Sequence, residues 1–187
     1  MNSNRKAFLS MIAFSEGTST SPATKCNGFD VIVTGIDKKP EIFTDFSNHP
    51  FASGRKSKTI KKNGLTSNAS GRYQFMLRDW SHYRSQLGLP DFGPGSQDKW
   101  ALQLIRERRA LDDIDAGRFS AAVAKCKNIW ASLPGAGYGQ PEHPIAKLQE
   151  ISKVRKSGTI SLQHIMWLVE SRPGLFFISF LIDKLEL

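Results

Sequence analysis

The sequence predicts an α+β fold that is mostly helical and contains a small β-hairpin. Apolar residues recur at helical spacing in several segments that glycine and proline separate. A single early region instead combines β-branched and aromatic residues on both sides of a turn. With 187 residues, of which 40% are hydrophobic, the chain is long enough for one well-buried core. We expect one domain over residues 1–157 and a tail of unknown role over residues 158–187.

The helices follow from their apolar spacing and their end signals. A first helix is predicted with Ser3 or Asn4 as its N-cap, apolar residues at positions 8, 9, 11 and 12, and an end at Gly17. The later helices are predicted over residues 72–87, 97–111, 119–133 and 141–156.

The hairpin is predicted from residues 29–34 and 41–45, with the turn between them ending at Pro40. Residues 47–70 are rich in Ser, Asn, Gly and Lys and have almost no periodic apolar pattern, so we expect a long loop there.

A net charge of +9 and a pI near 9.7 favour partners that carry negative charge, such as nucleic acid, anionic lipid or the carboxylate-rich bacterial wall. No zinc finger, RNA-binding aromatic motif or basic heptad helix is present, which argues against nucleic acid. Five cations lie within residues 55–62, where they either form a solvated loop or contact an anionic wall or membrane. They are Arg55, Lys56, Lys58, Lys61 and Lys62.

The cysteines and histidines predict neither a metal site nor a cofactor. Cys26 and Cys126 lie far apart without a C-x-x-C motif, and the four histidines have no H-E-x-x-H pattern. Cys126 shares a helical stripe with apolar residues and is therefore predicted to be a core residue, whereas Cys26 lies in a polar loop and could be free.

The N-terminus imitates a signal peptide without completing one. Arg5 and Lys6 precede a short apolar run, but no small-residue cleavage site follows, so we expect no cleavage. The longest late apolar run, residues 175–182, is far shorter than the roughly 20 residues of a membrane span.

Glu16 occupies an unusual position for a carboxylate. Helical spacing places it on the same face as Leu9 and Ile12, in the last turn of the first helix. Partial desolvation and the negative end of the helix dipole should both raise its pKa. A glutamic acid that stays protonated near neutral pH suits glycosidic cleavage, although spacing alone favours an ordinary solvated residue at a helix end.

Several sequence blocks occur together in a fixed order, from about residue 5 to about residue 149. This combination of blocks resembles the lambda-type phage endolysins and is far more specific than any single motif. The blocks are A-F-S-E-G-T at 13–18, G-F-D-V-I-V at 28–33, F-T-D-F-S-N-H-P at 43–50, G-R-Y-Q at 71–74 and W-A-S-L-P-G-A-G-Y-G-Q at 130–140.

The resemblance implies a lysozyme-like fold in which the small sheet flanks the active-site cleft. It implies a lytic transglycosylase that cleaves the MurNAc-GlcNAc bond of peptidoglycan without water, leaves a 1,6-anhydro ring and requires no metal or cofactor. Glu16 is the implied catalytic residue. It would act first as an acid and then as a base.

The same resemblance implies the residues that bind substrate. The G-R-Y-Q turn and the A-G-Y-G segment would line the sugar cleft, and we include the flanking block residues Ser15 and Gln140. The predicted substrate-binding set is Ser15, Tyr73, Gln74, Ala136, Gly137, Tyr138 and Gln140. Amide and hydroxyl groups of this kind can bond sugar hydroxyls.

Two alternative functions remain open at this stage. If Asp30 or Asp45 were a second carboxylate beside Glu16, the protein would be a hydrolytic lysozyme. A wall-binding module without enzymatic activity is the other alternative.

The resemblance further implies a monomer that stays in the host cytoplasm until a holin opens the inner membrane. Residues 158–187 could complete the core or touch a membrane.

Overall fold

The first helix, α1 (Ser3–Ser15), carries the acidic residue at its C-terminal end. In the computed structural model, which describes residues 1–137 and 142–157, the Asn2 side chain accepts a hydrogen bond from the Arg5 N–H at 2.9 Å. The predicted caps, Ser3 and Asn4, were therefore wrong, because the chain enters the helix one residue earlier. The predicted stop is confirmed, since Gly17 adopts a left-handed φ of 71° just beyond the helix.

Strands β1 (Val31–Ile32) and β2 (Glu41–Ile42) form the predicted antiparallel hairpin, with Val31 opposite Ile42. Ser70 then bridges Ile32 on one side and Phe75 on the other. The backbone N–H of Gly71 also donates to the Val31 carbonyl at 2.8 Å. These bonds attach the G-R-Y-Q turn to the hairpin.

A second hairpin lies within residues 47–70, which the sequence predicted to be a loop throughout. Strand β3 (Lys58–Thr59) pairs antiparallel with β4 (Thr66–Ser67). The prediction was wrong here because the paired residues are polar and partly or fully exposed, so no apolar alternation marks the strands. Gly64 closes the connecting turn with a φ of 85°.

Every predicted helical segment contains a helix, although the bounds differ. The helices after the hairpins are α2 (Leu77–Leu87), α3 (Pro94–Glu107), α4 (Leu111–Asp115), α5 (Phe119–Cys126) and α6 (Ile145–Ser157). α2 starts five residues later than expected because residues 70–75 form the bridged turn. Arg109 interrupts the predicted 97–111 helix with a φ of 55° and so separates α3 from α4.

The core lies between α1, the aromatic cluster of α2 and α3, and α5. Phe8, Met11 and Ile12 of α1 are at most 2% exposed, and the ring of Trp100 stacks on Phe75 at 3.9 Å. Cys126 is fully buried, as predicted, and both cysteines are free. The predicted division into a domain and a tail stays a prediction, because residues 158–187 lie outside the described residues.

Gln97 joins three separate segments from inside this core. Its side chain is fully buried and its oxygen accepts a hydrogen bond from the Arg72 N–H at 2.8 Å. Its amide nitrogen donates to the carbonyls of Phe29 and Phe92 at 2.9 and 2.8 Å. Gly71 has no side chain, and a Cβ there would collide with the Gln97 carboxamide, so the position of Gln97 requires glycine at residue 71.

We predict that Gln97→Met lowers the free energy of unfolding by about 3 kcal/mol. The substitution keeps the volume but leaves three buried backbone groups without partners. Urea unfolding should show a lower midpoint with an unchanged slope. Gln103→Met, at a partly exposed position on the same helix, is the matched control. Equal midpoints for the two variants would contradict the assignment.

Candidate active site

A cleft of about 510 Å³ opens beside the C-terminal end of α1. Its walls come from that helix end, the first hairpin, the second hairpin, the G-R-Y-Q turn and the segment that follows α5. The lining residues include Glu16, Thr18, Ile32, Thr34, Pro40, Ile60, Gln74, Met76, Ile129 and Trp130. The predicted location of the cleft against the small sheet is confirmed.

Glu16 is half-buried in this cleft and contacts a residue from the other end of the domain. The Ser132 hydroxyl donates a hydrogen bond of 2.6 Å to Oε1 of Glu16. The two residues are 116 positions apart in the sequence. A carboxylate at a helix end would ordinarily sample several rotamers, and this bond holds it in one orientation.

Ser15 continues this contact on the buried side. Its hydroxyl donates to the Ser132 hydroxyl at 2.9 Å and also lies 3.1 Å from the Ser132 carbonyl oxygen. Ser15 itself is only 6% exposed. Its contacts in the structure therefore position Ser132, which in turn bonds Glu16, while its predicted role in substrate binding stays a prediction.

Two opposing effects determine the pKa of Glu16. Burial raises the pKa, because a charged carboxylate loses hydration in the cleft. Hydrogen bonds from the side chain and backbone of Ser132 act in the opposite direction, since they stabilise the charged form. Burial is the larger effect, so the pKa lies above its usual value. The direction is the one expected from the sequence.

Gln74 reaches the cleft from a strained turn. Its φ is 51°, a left-handed conformation that is uncommon for a residue with a side chain. The amide nitrogen donates to the Gly71 carbonyl at 3.0 Å, and the side chain remains half-buried in the cleft wall. Strain of this kind is concentrated at functional sites. Gln74 thus lines the cleft, while its predicted role in substrate binding stays a prediction.

Tyr73 lies in the core and is absent from the residues that line the cleft. It is 1% exposed, and its hydroxyl donates to Asp98 at 2.5 Å. Burial, together with the Asp98 carboxylate, raises the pKa of this phenol well above its usual value. The backbone carbonyl of Tyr73 accepts a hydrogen bond from the Trp130 indole at 3.1 Å, so the residue supports the cleft wall from behind.

The predicted glycine-rich segment is only partly described. The Glu142 carboxylate accepts hydrogen bonds from the N–H groups of Gly135 and Gly137, at 2.7 and 2.9 Å. Ala136 and Gly137 are not among the residues that line the cleft. Tyr138 and Gln140 lie outside the described residues.

The two aspartates considered as a second carboxylate both have other contacts. Asp30 is 3% exposed and accepts hydrogen bonds from the Thr24 hydroxyl at 2.5 Å and the Lys25 N–H at 2.8 Å. Asp45 is exposed, and the Ser47 N–H bonded to it lowers its pKa. Neither residue lines the cleft.

Two residues that the sequence did not single out position the site. Ser132 lies inside the W-A-S-L-P-G block, and its position in that block was the one signal that could have identified it. Thr18 is 1% exposed, and its hydroxyl donates to the Arg72 carbonyl at 2.7 Å, which links the end of α1 to the G-R-Y-Q turn. Together, Ser132 and Thr18 link the end of α1 to the segment after α5 and to the G-R-Y-Q turn.

The described residues, 1–137 and 142–157, contain neither a cluster of metal ligands nor a helix that could span a membrane. In these ranges no three His, Cys, Asp or Glu side chains come close enough together to hold a metal ion. None of the helices there has the length and apolarity needed to cross a membrane.

The family model for Endolysin matches residues 6–160. The chain belongs to the Endolysin family. This endolysin is 63% identical over 145 residues to the endolysin of Escherichia phage P2, covering 78% of this chain and 88% of that protein. It is 51% identical over 159 residues to the endolysin of Escherichia phage lambda, covering 84% and 93%. The resemblance found in the sequence blocks is confirmed.

Solved structures match the fold as well. Bacteriophage lambda lysozyme in complex with a chitohexasaccharide aligns with a TM-score of 0.75 and 50% identity, over 83% of this endolysin and 95% of that chain. A second structure of lysozyme from bacteriophage lambda aligns with a TM-score of 0.71 and 48% identity over the same shares. The predicted lysozyme-like α+β fold is therefore confirmed.

We predict that Ser132→Ala raises the pKa of Glu16 further. The substitution removes a donor that stabilises the carboxylate, so the acid form of Glu16 persists to higher pH. Carbon-13 NMR of the Glu16 side-chain carboxyl during a pH titration measures the shift directly. Ser132→Thr keeps the hydroxyl and should titrate close to the wild type. A pKa that falls, or stays unchanged, in Ser132→Ala would contradict the assignment.

Proposed function

We propose that this endolysin cleaves the β-1,4 bond between MurNAc and GlcNAc of bacterial peptidoglycan without water and forms 1,6-anhydro-MurNAc ends. Its family and the oligosaccharide complex of the lambda lysozyme support a glycan substrate. The cleft chemistry supports the type of reaction. Among the described residues, Glu16 is the one carboxylate that lines the cleft.

This single carboxylate is the observation on which the proposal depends. A hydrolytic lysozyme of the two-carboxylate type requires a second acidic side chain on the other side of the scissile bond, either as a nucleophile or as a base for water. Asp30 is hydrogen-bonded to its own loop, and Asp45 is exposed outside the cleft. A mechanism in which one group acts twice therefore fits the described residues better than hydrolysis does.

In the first step, protonated Glu16 donates its proton to the oxygen that leaves C1 of MurNAc. The bond between C1 and that oxygen breaks, and the sugar becomes oxocarbenium-like. The raised pKa of Glu16 increases the fraction of the acid form that can donate this proton. The carboxylate that remains is stabilised by the hydrogen bond from Ser132.

In the second step, the Glu16 carboxylate accepts the proton of the sugar's own 6-hydroxyl as that oxygen bonds C1. The anhydro ring closes and Glu16 is protonated again, so atoms and charge balance without water. Ser132 serves both steps. By bonding the charged form, it limits the rise in the pKa of Glu16. Glu16 can therefore lose a proton in the first step and regain one in the second.

The cleft also offers groups that could hold the glycan strand. Gln74 presents an amide that can donate to and accept from sugar hydroxyls. Pro40, Ile60 and Met76 supply apolar surface against which the less polar faces of sugar rings can pack. Peptidoglycan strands are linear, and a cleft open to solvent suits a polymer of this kind.

The products test the proposal directly. Wild-type protein should release muropeptides with 1,6-anhydro ends, which mass spectrometry detects and which resist borohydride reduction. Glu16→Gln cannot donate or accept the proton, and its rate should fall by about 10²- to 10⁴-fold.

Two results would contradict the proposal. New ends that borohydride reduces would indicate hydrolysis. Full lytic effect from a folded Glu16→Gln protein would indicate a wall-binding module without catalytic activity.

A further inference from the structure

The two hairpins are fastened together at one edge of the cleft. The Ile36 N–H donates to the Thr59 carbonyl at 2.8 Å, and Glu41 of β2 forms ion pairs with Arg55, at 2.5 Å, and with Lys58. Gly35 packs so closely that a Cβ there would lie 3.2 Å from the Thr59 carbonyl oxygen. The second hairpin is therefore held against the first.

Among the cations of the two hairpins, Glu41 forms ion pairs with Arg55 and Lys58. Five further lysines of the two hairpins are exposed, and among the described residues none has a carboxylate within ion-pair distance. We call them the basic rim; they are Lys38, Lys39, Lys56, Lys61 and Lys62.

The basic rim borders the cleft directly. Pro40 lines the cleft and follows Lys39 in the chain, while Ile60 lines it and precedes Lys61. The hydrogen bond from Ile60 N–H to the Leu65 carbonyl, at 2.8 Å, fixes the turn that carries Lys61 and Lys62. Two basic segments that are separate in the sequence thus both adjoin residues that line the cleft.

A concentration of unpaired, exposed lysines creates a positive potential that attracts anionic groups. At physiological ionic strength charges act over about 8 Å, which extends past the cleft wall to groups that project from a bound strand. The stem peptides of peptidoglycan are such groups, because they branch from MurNAc and bear free carboxylates. A glycan strand in the cleft would carry them outward over its edges.

We propose that the basic rim binds the stem-peptide carboxylates of peptidoglycan. This inference rests on the proposed function, since it assigns a further part of the same substrate. The rim lysines are exposed, so each contact is weak, and together they retain the enzyme on its negatively charged polymer. The partner is thus the peptide portion of the wall, while the cleft holds its glycan.

The test measures binding to sacculi, the isolated wall, in the full-length Glu16→Gln background so that the substrate survives the assay. Sacculi are used either untreated or with their carboxylates converted beforehand to neutral amides by carbodiimide and ammonia, which leaves the peptides in place. Cosedimentation at low and high salt compares Glu16→Gln with the same protein carrying Lys56→Gln, Lys61→Gln and Lys62→Gln.

We expect the three substitutions to weaken binding to untreated sacculi by about fivefold at low salt. The difference should disappear at high salt and on amidated sacculi. Three exposed cations that do not line the cleft, changed together as Arg108→Gln, Lys153→Gln and Arg155→Gln, provide a control of equal charge that should bind like the parent.

Three results would overturn the inference. Equal loss on amidated and untreated sacculi would show that the rim contacts glycan. Equal loss in the control would show an effect of net charge alone. Unchanged binding to sacculi, with lysine-dependent binding to vesicles that contain anionic phospholipid, would assign the rim to a membrane. Product analysis of the active protein tests the proposed function separately, so the two failures are distinguishable.

Discussion

The hydrogen bond from Ser132 to Glu16 is the contact around which the site is arranged. A glutamic acid at the C-terminal end of a helix, half removed from water, retains its proton more strongly than one in solution. Without a donor, its carboxylate form would be costly and its orientation free. The hydroxyl group of Ser132 lowers the cost of the charged form and also holds the carboxylate in one orientation. The chain brings that group from 116 residues away, which is why the site depends on the whole domain.

The supporting contacts explain how a short helix end can be held so firmly. Thr18 bonds the carbonyl of Arg72, and Gln97 bonds the N–H of the same residue. The G-R-Y-Q turn is therefore fixed from the α1 side and from the α3 side, and Gln74 takes its strained conformation between them. Because the core below is closely packed, a change in Gln97 should reach Gln74 through this turn.

Much of the fold follows from local patterns in the sequence. Apolar spacing located the helices and the first hairpin, and it placed Cys126 in the core. The sequence did not predict the second hairpin, because this hairpin has no buried face and therefore no alternating apolar pattern. Helix bounds shifted where tertiary bonds, such as the bridges of Ser70, outweighed local preference.

The site was predictable only in part. Sequence blocks identified Glu16 and Gln74, both of which line the cleft. They did not distinguish Gln74 from Tyr73, although the two are adjacent, because the side-chain direction in a turn depends on φ and not on spacing. Ser132 lies within one of these blocks, but its contact with Glu16 became evident only from the fold, since local spacing does not relate residues 116 positions apart.

We propose that the acid form of Glu16, balanced between burial and the hydrogen bond from Ser132, sets the catalytic rate. The pH dependence of kcat/KM on isolated peptidoglycan tests it, because this ratio reports the ionisation of the free enzyme. The rate should fall on the alkaline side as Glu16 loses its proton, and in Ser132→Ala this fall should move to higher pH. An alkaline limb that stays in place, or moves to lower pH, would contradict the claim.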